Sequence, residues 1–294
     1  MKIIDSFMYS GEDMILDIRL NTLENYVSNF IICEAKFHHN GSEKKLNFDI
    51  SKFQKFKDKI IYIVLENQPS SLLEIKESDN SKVKKNKILD NALIRENFQR
   101  NFCFKEINKF PGDDLIIIND LDEIPNLKNF SYRNKITIFK QKMIYYKFNL
   151  KYPNYNWMGS KICKIKHLLS PQWLRNIKSK KYPTWRLDIL FNKRKYSDIC
   201  FVNNGGWHFT NIMTPEKMDL KFRNFLHHFE YEESGFDVQK LQELVKNKKV
   251  LYDHNSDKKN SNKWQESKKL EKIDLNLLPD YLIKNLSKYK LWMD

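Results

Sequence analysis

The chain has 294 residues, 41% of them hydrophobic and 14% aromatic, which suffices for a large buried core and excludes a disordered polypeptide. No apolar run approaches the roughly 18 residues of a membrane-spanning helix, and the four scattered cysteines (Cys33, Cys103, Cys163, Cys200) contain no CxxC pair, which argues against a disulfide framework or a zinc site. The formal charge of +15, from 52 Lys+Arg against 37 Asp+Glu, suits anionic partners, but the lysines are spread along the chain rather than gathered on one helix, so an anionic membrane surface is a better match than nucleic acid.

Residues 2–9 (KIIDSFMY) read as a first strand, broken by Gly11. Glu12 and Asp13 then open a helix, where acidic side chains complement the dipole, and Ile15, Leu16, Leu20, Leu23, Tyr26 and Val27 recur at helical spacing. Residues 29–33 (NFIIC) form a second buried strand that ends at Glu34. The polar loop 38–45 (HHNGSEKK) follows, placed to meet a ligand, with His38 and His39 read as solvated loop residues rather than metal ligands. A lysine-rich amphipathic helix around 50–56 precedes a third strand, 60–65 (IIYIVL). The stretch 66–87 is polar and aperiodic and is expected to be a mobile loop beside the site. A long helix then carries Ile88, Leu89, Leu93, Ile94, Phe98, Phe102 and Ile107 on one side, together with Arg95 and Arg100.

Residues 113–125 (DDLIIINDLDEIP) carry the fourth strand after three strand–helix units, an alternation that predicts a parallel sheet with helices on both faces. Leu115 to Ile118 is apolar throughout, as in a central strand covered on both sides. Asp120 and Asp122, two apart, project together at its carboxyl end, where ligands of α/β sheets bind. Adjacent carboxylates repel unless a cation lies between them, and a hard divalent ion with oxygen ligands, Mn²⁺ or Mg²⁺, answers that chemistry and could hold a diphosphate.

Beyond Pro125 the pattern changes. Residues 136–148 are strand-like and aromatic and suggest a hairpin; 152–157 (YPNYNW) read as a turn-rich aromatic stretch, with Trp173, Trp185 and Trp207 beyond it. Residues 198–210 (DICFVNNGGWHFT) give a strand, a Gly-Gly break and Trp207-His208. Thr214-Pro215-Glu216 is a helix start, with Thr as cap and Pro in the first turn, and the helix is expected to run to about His228. Residues 253–272 are polar and read as a loose connection; 277–292 (LLPDYLIKNLSKYKLW) read as a closing basic amphipathic helix.

With Asp120-Leu121-Asp122-Glu123-Ile124-Pro125 and Gly206-Trp207-His208-Phe209 in place, the chain resembles glycosyltransferase family 17 over nearly its whole length. Residues 15–20 (ILDIRL) are similar to the family's first helix, 30–35 (FIICEA) with Gly41 and Lys45 to its next strand and loop, 206–221 to its GWH…TPE…K segment, and 278–285 (LPDYLIKN) to its C-terminal motif. The resemblance implies a GT-A type, Rossmann-like fold: a mixed, mainly parallel sheet flanked by helices, with C-terminal helices. Residues 1–250 would be the catalytic domain, 1–125 its nucleotide-sugar half and 126–250 its acceptor half, with 251–294 a polar linker and a helix packed on it. It also implies a nucleotide-sugar donor, UDP-linked, a sugar such as N-acetylglucosamine, a Mn²⁺ or Mg²⁺ ion, and inverting transfer to a glycan, glycolipid or other hydroxyl acceptor. Asp120 and Asp122 would be the metal-binding pair, Asp120 also meeting the donor, and His208 a further ligand.

On that reading Arg95 and Lys45 assist the diphosphate, and Glu12 and Glu34, at the first two strand ends, meet the nucleoside. Inversion needs a carboxylate to take the acceptor's proton. Glu216 and Asp188 are the candidates, with Glu123 a third that could instead brace the acidic loop. The animal members carry a membrane anchor, whereas MKIIDSFMYS lacks the apolar segment of a signal peptide, so a cytoplasmic protein, peripheral at the membrane, is expected. Glycoside hydrolysis also uses paired carboxylates, but they stand roughly 5–9.5 Å apart across the bond, which suits two aspartates flanking one leucine less well. A basic carbohydrate- or nucleic-acid-binding module, or a transferase glycosylating nucleic acid, are the other readings.

Overall fold

The computed structural model describes residues 1–189, 191–225, 228–251 and 268–294. Three strand–helix units open the chain: β1 (Ile3–Met8) with α1 (Asp13–Leu23), β2 (Asn29–Ala35) with a 3₁₀ turn (Ile50–Phe56), and β3 (Ile60–Leu65) with α2 (Ser81–Phe102) and the short α3 (Phe104–Ile107). There follow β4 (Leu115–Ile118), β5 (Glu123–Pro125), β6 (Ile136–Tyr145), β7 (Leu150–Lys164), α4 (Pro171–Arg175), β8 (Ile199–Val202) and β9 (Gly206–Thr210). The chain closes with α5 (Pro215–Asn224), α6 (His228–Glu233), α7 (Val238–Lys246), β10 (Glu271–Lys272) and α8 (Asp280–Lys284).

One sheet runs through both expected halves in the order β3-β2-β1-β4-β7-β6-β9-β5, with β10 beside β7 and β8 beside β6. β3, β2, β1 and β4 are parallel, as are β6, β8 and β9, while β7 and β5 run against their neighbours. This is the mixed, mainly parallel Rossmann-like sheet that the alternation predicts. Both faces are covered, which is why β4 is apolar at every position. Leu115 and Ile117 join the core under α1, with Phe7, Phe30 and Ile32. Ile116 and Ile118 face the opposite core, with Ile4, Ile31, Cys103 and Leu174. A third core, around Met143, Tyr145, Met218, Tyr231 and Leu241, packs α5, α6 and α7 onto β6.

Several boundaries differ from expectation. The stretch 66–80 is a loop, but it is fastened to α2: the Asn91 amide clamps both backbone groups of Leu73, at 2.7 and 2.9 Å. The helix then begins at Ser81, because the Asn80 side chain accepts from the Val83 amide at 2.9 Å and caps it. YPNYNW is strand, not turn; its Pro and Asn mark a bulge in β7, where the register to β6 shifts between Lys142 and Ile144 and Asn154 takes φ 51°. The helix after Thr214 stops at Asn224, and His228 begins a separate one. The closing segment is not one helix: α8 ends at Lys284, and Tyr281, Lys288 and Tyr289 converge on the Asp17 carboxylate at 2.6–3.0 Å, which docks the segment on α1. Residues 253–267 of the expected polar connection lie outside the described residues. Among the described residues no helix is long and apolar enough to cross a membrane.

Candidate active site

The acidic loop between β4 and β5 is shaped by one buried cation. Arg19, on α1, is fully buried and forks onto Asp5 at 2.7 and 2.8 Å. Its remaining nitrogen donates to the carbonyls of Leu121 and Glu123 at 2.9 Å each and of Asp120 at 3.2 Å. Three carbonyls of one short loop are drawn to one guanidinium, and the loop curls around it. The chain then turns back as β5, antiparallel to β9, with Glu123 opposite His208 and Pro125 opposite Gly206. Gly206 has φ +128°, and a Cβ there would meet the Ile124 carbonyl at 2.1 Å, so only glycine permits this pairing.

The register brings the side chains together. Asp122 accepts from the Phe209 amide through its backbone at 2.8 Å, and its Oδ1 lies 3.5 Å from His208 Nε2. The His208 ring is buried beside the Trp157 ring, with centroids 4.9 Å apart, and its Nδ1 has no hydrogen-bond partner. Burial opposes charge on both groups, yet the attraction between them prevails: the carboxyl of Asp122 is held below its ordinary range and the imidazole of His208 above.

Asp120 is placed differently. Arg175, on α4, meets Asp120 Oδ2 at 2.6 Å, and Arg100, on α2, meets Oδ1 at 3.0 Å. Although burial pushes its carboxyl upward, the two guanidiniums outweigh that and hold it far below the ordinary range. Arg175 also forks onto Glu123 at 2.6 and 2.7 Å. Glu123 further accepts from the Asp120 amide at 3.0 Å and from the Trp157 indole. Gly159 makes this possible, since a Cβ there would lie 2.8 Å from the Glu123 carboxyl carbon and 2.7 Å from the Trp157 ring. Glu123 is wholly buried and fully engaged, and it braces the loop.

The remaining candidates lie around this centre. Arg95, one turn before Arg100, donates to Gln68 at 2.7 Å and to the His39 carbonyl at 3.3 Å, and has no carboxylate partner among the described residues. Loop 38–45 packs between α2 and α5: His39 is not solvated but lies 3.3 Å from Gln99, where burial lowers its imidazole pKa, and Asn40 bonds Asn224 at the end of α5 at 3.0 Å. Lys221, on α5, lies close enough to Asp122 to help lower its carboxyl, and it too has no carboxylate partner among the described residues. Glu12 caps the start of α1 and accepts from the Ser10 amide at 3.1 Å. Glu34 is buried and consumed by the amides of Asn47 and Phe48 (2.9 and 3.0 Å), the Tyr62 hydroxyl (2.9 Å) and Lys44, whereas Lys45 is exposed. Asp188 is held by Arg186 and Lys195 at 2.8 and 2.6 Å on the outlying segment before β8. Glu216 is exposed and bonds Gln242 of α7 at 3.3 Å. Five positions along a helix is about 140° around it, so Glu216 does not share the face of Lys221. Neither Asp188 nor Glu216 touches the acidic loop.

The residues fit a divalent cation in one way. Asp122 and His208 are close enough to share an ion, and both are free of arginines; Asp120 has both oxygens committed to arginine. Among the described residues no three His, Cys, Asp or Glu side chains gather as an ion site. An ion there would have two protein ligands and take the rest of its shell from phosphate oxygens and water, as magnesium-type ions commonly do.

The model of glycosyltransferase family 17 matches residues 1–293. The chain belongs to glycosyltransferase family 17. Its mixed, mainly parallel sheet flanked by helices is Rossmann-like. It is similar to the human and rat β-1,4-mannosyl-glycoprotein 4-β-N-acetylglucosaminyltransferases, each 24% identical over 132 residues, 42% of this chain and 22% of the relative. The family implies a nucleotide-sugar donor and a glycan acceptor in general terms. Sequence reasoning chose Asp120, Asp122, Glu123 and His208 from this centre but gave no role in it to Arg19, Arg100, Arg175 and Trp157. Only Arg19 carried a local signal, a charge among the buried Ile15, Leu16, Ile18 and Leu20.

Proposed function

We propose that this glycosyltransferase transfers N-acetylglucosamine from a UDP-linked donor to a glycan or other hydroxyl acceptor, with inversion and with a divalent cation, Mn²⁺ or Mg²⁺. One observation carries the reading. At the carboxyl end of the parallel strands, the Asp122–His208 pair is free of arginines, and Lys221 lies close enough to help lower the Asp122 carboxyl. That arrangement suits a diphosphate better than a neutral sugar.

In the proposed reaction Asp122 and His208 hold the ion, which supplies charge neutralisation at the diphosphate when bound. Arg95 and Lys221 take up charge that develops on the leaving nucleoside diphosphate. The acceptor oxygen bonds to the anomeric carbon as the bond from that carbon to phosphate oxygen breaks, and the hydroxyl proton passes to a carboxylate. Of the three candidates, Glu123 is spent on Arg175 and Asp188 on two cations. Glu216 has no cationic partner among the described residues but does not touch the acidic loop, so none of the three is assigned as the base. Glu12, at the N-cap of α1 just beyond β1, would meet the nucleoside on this reading.

The test is a panel of nucleotide sugars with Mn²⁺ or with EDTA, scored by donor hydrolysis and by thermal shift, which requires no knowledge of the acceptor. UDP and one UDP-sugar should raise the melting temperature in a Mn²⁺-dependent way. If no nucleoside diphosphate or nucleotide sugar shifts it, with or without metal, the assignment of this centre is wrong.

A further inference from the structure

After α4 the chain makes an excursion, described over 178–189 and 191–198, before it returns as β8. Its neck is fastened: the Lys178 amide donates to the Arg194 carbonyl at 2.9 Å, Tyr182 to Tyr196 at 3.1 Å, and the Trp173 indole to the Lys193 carbonyl at 2.5 Å. Beyond the neck, Trp185, Leu187 and Phe191 are 78%, 74% and 89% exposed, and the two aromatics are the most exposed aromatic side chains among the described residues. Three large apolar groups held in water on one tethered segment are an interaction surface, not scattered surface hydrophobes.

The charge around them identifies the partner. Asp188 is neutralised by Arg186 and Lys195, and Asp198 accepts from the Asn134 side chain at 2.6 Å and the Lys135 amide at 2.9 Å. Lys178, Lys180, Lys193 and Arg194 are exposed and have no carboxylate partner among the described residues, and Lys181, also exposed, lies close enough to Asp198 to help lower its carboxyl. A second copy of this chain would set these like charges against one another. A soluble polyanion would answer the cations but leave Leu187, which cannot stack on bases or sugars, in water. An anionic bilayer answers both: Trp and Phe settle at headgroup depth, Leu187 reaches the acyl boundary, and the lysines meet the surface charge. An open groove of about 580 Å³, lined by Trp185 with Lys181, Tyr182, Ser197 and Asp198, adds room for a headgroup.

We propose that the 178–198 excursion docks the protein on anionic membrane, through Trp185, Leu187 and Phe191 ringed by unpaired lysines. The full-length chain is spun with vesicles of phosphatidylcholine alone and of phosphatidylcholine with phosphatidylglycerol, and applied in parallel to immobilised heparin. The wild type should sediment with the anionic vesicles only. W185S/L187S/F191S should lower that affinity by about tenfold or more while heparin retention is unchanged. K180E/K181E/K193E should weaken both. Near-ultraviolet circular dichroism and donor turnover without vesicles should match wild type for each variant, which separates lost docking from lost folding. Absence of vesicle binding by the wild type, or a triple apolar variant that binds vesicles as well as wild type, overturns the proposal. Heparin retention without vesicle binding would assign the surface to a soluble polyanion instead.

Discussion

Arg175 and Asp120 meet at 2.6 Å, and the same guanidinium forks onto Glu123, so a single side chain from α4 fixes both ends of the acidic loop. The charge of Asp120 is answered from within the protein by Arg175 and Arg100, whereas Asp122 faces His208 and no arginine.

Removing that guanidinium should be costly. Arg175→Ala leaves Glu123 buried without a counter-charge and strips one oxygen of Asp120, and loss of one partner of a buried pair costs roughly 3–5 kcal/mol. Urea denaturation should show a shift of that order. Arg175→Lys should recover only part, because an ammonium cannot fork onto two carboxylates. In a double-mutant cycle, Glu123→Gln should destabilise much less in the Arg175→Ala background than in wild type. Additive losses would mean that the pair is not coupled.

The division between the two aspartates makes a second prediction. Asp122→Asn or His208→Ala should raise the Mn²⁺ concentration needed for half-maximal donor hydrolysis by about tenfold or more, since each removes one of two protein ligands. Asp120→Asn should change the maximal rate and the melting temperature more than the Mn²⁺ requirement, because it disturbs the arginines first. Mn²⁺ binding followed by electron paramagnetic resonance gives the affinity without activity. An Asp120→Asn variant that loses Mn²⁺ affinity as severely as Asp122→Asn would place Asp120 on the ion.

Arg19 supports the loop from below. Arg19→Met would leave Asp5 charged at zero exposure and release the carbonyls of Asp120, Leu121 and Glu123. The expected loss is again roughly 3–5 kcal/mol. Replacing both partners, Asp5→Leu with Arg19→Met, should recover part of the buried-charge penalty but not the loop carbonyls. Hydrogen exchange can distinguish the two contributions: amides of residues 119–123 should stay deprotected in the double variant even where global stability returns.

How far the sequence disclosed this centre follows from how local each signal is. The sheet was legible because β4 is apolar on both faces and because strands and helices alternate at regular spacing. The acidic loop was legible because it breaks that strand abruptly. Its partners were not: Arg100 and Arg175 stand 20 and 55 residues from Asp120 on different helices, and nothing local distinguishes an arginine destined for burial from a surface one. YPNYNW misled for the opposite reason, since turn-forming residues also make bulges, and only the partner strand decides which. The end of the chain carries an apolar period that favours a helix, but the bonds of Tyr281, Lys288 and Tyr289 to one aspartate impose another path.

Lys161 supplies a prediction about pH. It sits on β7 opposite Ile118, 3% exposed, and its ammonium donates to the carbonyls of Arg175 and Ile177 at 2.6 and 2.7 Å, which fixes the end of the helix that carries Arg175. Burial first, and the neighbouring Arg175 charge second, bring it down to about 7 from the ordinary lysine value of 10.5. Below about pH 7 the folded and unfolded chains both carry the proton, and the folded state bears the full penalty of a buried charge. Between about 7 and 10.5 the unfolded chain binds more protons than the folded one, so stability rises with pH. Neutral Lys161 keeps two N–H donors for its two carbonyls, so the contact survives deprotonation. Measured by urea denaturation, the stability of wild type relative to Lys161→Met should therefore climb with pH across that window, by up to about 1.4 kcal/mol per pH unit. Parallel curves for the two proteins between pH 7 and 10 would show that Lys161 titrates as an ordinary lysine and that the end of α4 is held in some other way.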